Sequence, residues 1–210
     1  MNRSLLLDFD GVVFRNKEAL RAVEKKSSEF TLQYIPVPAN VSYQTYGHTV
    51  NMVNSLKKDL PKVTLQDYNR YVFDRPLLES TRDMIGKDDL LRAKMWKHLV
   101  EKHNGDTCIF SNAPEVWIRC VLSFLDIDEV FLEKKILCPC TLNDLKPADM
   151  AYTRVLKDRK KASSLFIDDS VVNIEAARKL DIPSMLYTGE VDRALIESYQ
   201  FHVKQVSKSL

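Results

Sequence analysis

Three short apolar runs, each cut off by a small or acidic polar residue, constrain this chain more than any other feature. They are Leu5-Leu6-Leu7 before Asp8, Cys108-Ile109-Phe110 before Ser111, and Leu165-Phe166-Ile167 before Asp168. Runs too short for a helix, and apolar at every position rather than every second one, suit strands buried on both faces in a parallel sheet. Helical patterns follow the second and third runs. Pro114 to Leu125 has proline in its first turn and Val116, Trp117, Cys120, Val121 and Phe124 on one face; Ser170 to Leu180 aligns Val172, Ala176 and Leu180. A further helix is predicted from Asp89 to His103, closing at Gly105. This alternation predicts an α/β fold, a doubly wound, Rossmann-like parallel sheet. Ligands of such sheets bind beyond the carboxyl ends of the strands, which is where the polar residues fall.

Between Phe14 and about Gly86 the pattern changes. Helical stretches run roughly over Asn16 to Tyr34, Tyr43 to Lys58 and Leu65 to Phe73, separated by loops bearing Pro36, Pro38, Pro61 and Pro76. No strand-like run interrupts them. The expected division is an α/β core of residues 1–14 and 87–210, with residues 15–86 inserted as a smaller helical cap domain over the strand ends. Extra helices packed on one flank would read the same way.

At 210 residues, 45% hydrophobic and 29% charged, the chain has the composition of a folded protein with one core, or a core and an insertion. Its formal net charge of +2 and its scattered basic pairs, such as Lys25-Lys26, Lys134-Lys135 and Arg159-Lys160-Lys161, argue against a nucleic-acid partner. No stretch reaches the length of a membrane span, and Asp8 cuts the N-terminal apolar run too early for a secretory segment. The expected location is therefore the cytoplasm, with no membrane partner. The ending Lys208-Ser209-Leu210 inverts the first two residues of the peroxisomal address. Cys108, Cys120, Cys138 and Cys140 show no C-x-x-C spacing and read as reduced thiols, the last two as neighbours on one face of a strand.

The segment DFDGVV at residues 8–13 carries two aspartates one residue apart and then a glycine. With 18 Asp and 5 Gly in the chain, such a D-x-D-G arises by chance ~0.04 times. Asp168-Asp169 is weaker alone, since roughly 1.5 such pairs are expected. Asp88-Asp89 provides the control: it precedes a helical pattern and is explained by capping. Asp168-Asp169 instead follows a buried run, where adjacent carboxylates repel and a cation would relieve them. Lys146-Pro147 and Ser111-Asn112 are each unremarkable in isolation, fitting a helix start and an N-cap.

In order, DFDGVV, FSNAP, LKPADMAY and FIDDSVVNIEAARKL resemble the motifs of the haloacid dehalogenase superfamily, specifically its magnesium-dependent phosphatase branch. The resemblance spans the core, while the insert resembles the superfamily's helical cap in position and helicity. It implies Asp8 as the nucleophile that forms an aspartyl-phosphate, and Asp10 as general acid and then base. Gly11 would allow the sharp turn after the strand. Ser111 and Asn112 would bind phosphoryl oxygens, and Lys146 would offset charge on both Asp8 and the substrate. Mg2+ would be held by Asp8, the Asp10 backbone carbonyl, Asp168 and Asp169, with Asp169 the favoured direct ligand of the last pair and Asn173 behind it. Asp181 departs from the pattern by standing where relatives carry glycine; it tolerates left-handed geometry better than most residues. The segment ILCPCTLND before Lys146 is also atypical.

The implied activity is hydrolysis of a small phosphate monoester, a sugar phosphate or nucleoside monophosphate, and the implied partner is a small phosphorylated metabolite. A phosphomutase or phosphotransferase would use the same core residues. The alternative of another class is a non-catalytic protein that binds a phosphate ligand or another partner. Tyr43, Tyr46 and His48 could line a base or sugar pocket, although packing explains the tyrosines as well.

Overall fold

In the computed structural model, residues 3–34, 64–131, 135–142 and 144–189 are described. Five strands, β1 (Ser4–Leu7), β2 (Asp106–Phe110), β3 (Lys135–Leu137), β4 (Ser164–Asp168) and β5 (Ser184–Leu186), form one sheet in the order β3-β2-β1-β4-β5. Every pairing is parallel. The three apolar runs are the three central strands. β1 lies in the middle, with Leu7 opposite Ile109 on one side and Ile167 on the other. The chain winds outward from β1 in both directions, which opens a crevice at the carboxyl end of that strand.

Alternation along β1 sends its side chains to two different layers. Leu5 and Leu7 join a large core with Trp96, Trp117 and Val121, whereas Leu6 packs with Phe110, Tyr152, Phe166 and Ile174. Full burial of each such side chain is worth about 1.5–3 kcal/mol, so the central strand is fixed from both faces.

Three described helices lie between β1 and β2 ahead of the helix that feeds β2. They are α1 (Lys17–Tyr34), α2 (Leu65–Val72) and α3 (Arg75–Met84). Thr64 and Asp67 form a capping box on α2, and Asp74 accepts from the Leu77 N–H at the start of α3. Pro76, expected in a loop, sits instead in the first turn of α3, where its missing N–H costs nothing. Phe30 of α1 packs on Tyr68 and Tyr71 of α2, at 5.5 and 5.4 Å between centroids. Lys26 of α1 pairs with Asp74. The expected helix from Tyr43 to Lys58, the loops at Pro36, Pro38 and Pro61, and the tail at Lys208-Ser209-Leu210 fall outside the described residues.

Helix α4 (Lys87–Lys102) begins two residues before the predicted Asp89. Asp89 is the capping residue that the sequence implied: its Oδ2 accepts from the Gly86 N–H at 3.1 Å. The same oxygen accepts from Asn16 Nδ2 at 2.8 Å, and Asn16 Nδ2 also donates to the Met84 carbonyl at 2.9 Å. Asn16 thereby ties the point where the chain leaves β1 to the point where it returns.

After β2 come α5 (Glu115–Phe124), α6 (Asp128–Phe131), α7 (Pro139–Leu142), α8 (Asp149–Val155), a 3-10 turn at Lys161–Ser163 and α9 (Val171–Lys179). Two predicted faces are rotated. In α5 the buried set is Trp117, Ile118, Val121 and Leu122, with Val116 exposed; in α9 it is Asn173, Ile174 and Ala177, with Val172 exposed. In α9 the rotation turns Asn173 inward toward Asp168, whereas Trp117 of α5 lies on both the expected and the observed face. Cys138 and Cys140 do not share a strand: Cys138 follows β3 and is buried, and Cys140 lies exposed in α7. Asp181 adopts φ +57°, so the left-handed turn is kept without glycine. Among the described residues no helix is long and apolar enough to cross a membrane.

Candidate active site

The register of the sheet brings Asp8, Ser111 and Asp168 to the same end of adjacent strands. The Asp8 N–H donates to the Ile167 carbonyl at 2.9 Å, extending the β1–β4 pairing to the first carboxylate. After Asp8 the chain folds back in a tight turn. The Phe14 N–H donates to the Phe9 carbonyl at 2.9 Å and the Gly11 N–H to the Phe14 carbonyl at 2.8 Å, while Phe9, Val12, Val13 and Phe14 are all buried. Trp96 Nε1 secures this turn by donating to the Val12 carbonyl at 3.1 Å. Gly11 has φ +86°, and a Cβ there would lie 2.0 Å from Asp169 Oδ2. Only glycine meets both conditions.

Lys146 is the buried cation of the site. Its Nζ lies 2.9 Å from Asp8 Oδ1 and 2.6 Å from Asp168 Oδ2, and sits over the rings of Phe110 and Phe166 at 5.1 and 5.2 Å. Burial alone would lower its pKa, but the carboxylates of Asp168 and Asp8 outweigh burial and hold it above the ordinary lysine value. The backbone of Lys146 is held by a reciprocal pair: Asn112 Nδ2 donates to its carbonyl and Asn112 Oδ1 accepts from its N–H, both at 2.9 Å. The side chain of Asn112 is thus committed to placing Lys146. Ser111 is buried, and its Oγ accepts from the Ala113 N–H at 3.2 Å.

The two adjacent aspartates differ sharply. Asp168 is fully buried and saturated by Lys146 Nζ, by Asn173 Nδ2 at 3.1 Å to each oxygen, and by the Ser170 N–H at 2.8 Å. Asp169 is exposed and, among the described residues, hydrogen-bonds to no other side chain. One carboxylate oxygen from each of Asp8, Asp168 and Asp169 lies within 4.8 Å of the others. Burial, and then the Asp168 charge, push the carboxyl of Asp8 well above its usual range; the same two causes, in the same order, raise Asp169. Carboxylates crowded at this spacing, with one buried ammonium among them, fit a divalent cation.

Asp10 stands apart from that trio. Its Oδ1 accepts from Trp117 Nε1 at 2.9 Å; burial pushes its pKa up to about 7, the Trp117 bond pulls it down, and the Asp169 charge adds to the rise. A carboxyl that exchanges its proton near neutrality can act as both acid and base. Two residues here escaped the sequence reading in these roles. The sequence places Trp117 in packing alone, although a buried indole N–H needs an acceptor, and it gives no sign of the side-chain bonds from Asn112 to Lys146. Tyr43, Tyr46 and His48 lie outside the described residues.

The fold is that of the haloacid dehalogenase (HAD) family of hydrolases. A HAD family enzyme from Bacteroides thetaiotaomicron matches with a TM-score of 0.56 at 17% identity, over 93% of this chain and 98% of that one. The same enzyme in complex with magnesium and inorganic phosphate matches with a TM-score of 0.52 at 17% identity, over 93% and 99% of the two chains. CbbY from Rhodobacter sphaeroides, as a mutant in complex with xylulose-(1,5)bisphosphate, matches with a TM-score of 0.59 at 14% identity, over 92% and 89%. No family model and no curated protein matches the sequence.

Proposed function

We propose that this protein is a magnesium-dependent phosphatase acting on a small phosphate monoester through an aspartyl-phosphate on Asp8. The observation that carries the reading is the division of labour among four carboxylates. Asp8 is held by Lys146 at the strand end, Asp168 is locked behind it, Asp169 is open, and Asp10 has a pKa near 7. The HAD fold and the magnesium and phosphate bound by a structural neighbour support it.

Asp8, the Asp10 backbone carbonyl and Asp169 would hold Mg2+, with Asp168 orienting the site from behind. When bound, magnesium supplies positive charge that lets an anionic carboxylate approach an anionic phosphoryl group. Lys146 neutralises the same region from the buried side. Asp8 attacks phosphorus while protonated Asp10 gives its proton to the departing oxygen; Asp10, now a carboxylate, takes a proton from the water that cleaves the aspartyl-phosphate. Ser111 and the backbone at Asn112 bind phosphoryl oxygens at the approach to α5.

The helices α1 to α3, inserted between β1 and β2, would serve as a cap over the strand ends that restricts entry to a small metabolite such as a sugar phosphate or nucleotide. The cytoplasm is the location consistent with that role. A phosphate-release screen across nucleotides and sugar phosphates, with and without magnesium, tests the reading, with Asp8→Asn as the blank. Magnesium-dependent release by the parent and none by the variant is the expected result. Release unaffected by Asp8→Asn, or none on any ester, would overturn it; transfer to a second sugar phosphate would mark a phosphomutase instead.

A further inference from the structure

Trp117 is completely buried and presents its single polar atom to Asp10, donating from Nε1 to Oδ1 at 2.9 Å. The indole has little freedom to do anything else. It packs edge-on against Phe14 with centroids 5.9 Å apart and tilted against Phe73 at 5.5 Å. Phe14 closes the turn that carries Asp10, and Phe73 is the C-terminal capping residue of α2. The donor therefore reaches Asp10 from α5, anchored on one side by the acid's own turn and on the other by the inserted helices.

The carbonyl oxygen of a carboxylic acid is its better acceptor, so an N–H donor to one oxygen favours the proton on the other. We infer that Trp117 is a positioning residue for Asp10, fixing the carboxyl so that Oδ2 carries the proton delivered to the leaving oxygen. This rests on the phosphatase reading and deepens it. As the Asp8–phosphorus bond forms and the ester P–O bond breaks, the Oδ2 proton passes to the ester oxygen and the alcohol leaves. Trp117 keeps its own proton throughout. A carboxyl free to swing would lose the alignment on which that transfer depends.

The test compares Trp117→Phe with the parent on two magnesium-loaded reactions, read as kcat/KM so that only steps up to phosphoryl transfer count. An alkyl phosphate needs the proton, because its leaving alkoxide is strongly basic. p-Nitrophenyl phosphate does not, because its phenolate is stable near neutral pH. The expected result is a loss of about 10- to 100-fold on the alkyl ester, within the range of general acid catalysis, and a far smaller loss on the aryl ester. Equal losses on both, or none on either, would overturn the inference. No turnover by the parent would overturn the phosphatase reading and this inference with it.

A second measurement does not depend on turnover or on the Phe variant folding. The chain has two tryptophans, so the 15N-labelled protein gives two indole N–H signals, and Trp96, bonded to the Val12 carbonyl, is the internal control. Asp10→Ala is expected to move the Trp117 signal by far more than that of Trp96, which keeps its bond to the Val12 carbonyl. An unmoved Trp117 signal would remove the hydrogen bond on which the inference stands.

Discussion

Gly11 and Asp169 are in contact through space that no other residue could share: a Cβ at Gly11 would lie 2.0 Å from Asp169 Oδ2, and the backbone there has φ +86°. The turn after β1 and the loop after β4 therefore interlock at the one carboxylate of the site left open. Gly11→Ala is expected to displace Asp169 and to destabilise the protein by about 1–3 kcal/mol, the range for a strained backbone position. Urea unfolding measures the second effect, and a weaker response of the melting temperature to magnesium measures the first.

Removing the buried ammonium leaves Asp8 and Asp168 facing each other without compensation. Lys146→Met is expected to cost about 3–5 kcal/mol near neutral pH, as for other broken buried ion pairs. Adding Asp168→Asn removes one of the two stranded charges and should recover part of that loss, so the double variant melts above the single one. Additive losses in a double-mutant cycle would contradict the shared-charge account.

The raised pKa of Asp10 makes a signed prediction about stability. The folded chain holds a proton on Asp10 up to about pH 7, whereas the ordinary value is 3.8. Between those values the folded state binds more protons than the unfolded one, so the contribution of this group to stability falls as pH rises and is lowest above 7. Asp10→Asn abolishes the titration. Its melting temperature, relative to the parent, is expected to be higher at about pH 8 than at about pH 4. A constant difference across that range would contradict the burial of this carboxyl.

A cation that binds the folded state alone stabilises it by mass action, by roughly 2.7 kcal/mol at a hundredfold excess over Kd. Magnesium is expected to raise the melting temperature of the parent in a concentration-dependent way. Asp169→Asn should largely abolish that response while leaving the fold intact, because Asp169 is exposed and bonded to no other side chain among the described residues. Asp168→Asn should behave differently, lowering stability even without magnesium, because Asp168 is a hub for Lys146, Asn173 and the Ser170 N–H.

The central strands were legible because apolar runs ending at Asp8, Ser111 and Asp168 leave few alternatives to a parallel sheet. β3 and β5 were not, since three-residue edge strands bury too little for their composition to stand out. Helix faces were misread where apolar count alone was followed. It put Val116 and Val172 inside, but Ile118 and Leu122 are buried in α5 beside the expected Trp117 and Val121, and α9 turns Asn173 inward to meet Asp168. The carboxylates and Lys146 stood out as candidates only when the four motifs were taken together in order. The hydrogen bonds between motifs, such as Asn112 to Lys146, join residues 34 positions apart and leave no local trace.

That last pairing bears on how the site tolerates change. Asn112 grips the Lys146 peptide from both sides, as a neighbouring strand would, but with one side chain rooted beside the central sheet. The ammonium is consequently registered to β2 and not to the segment that precedes it. The exposed positions of α7 can therefore drift in sequence while the charge stays fixed, whereas Ile136, Cys138, Pro139 and Leu142 are held by burial.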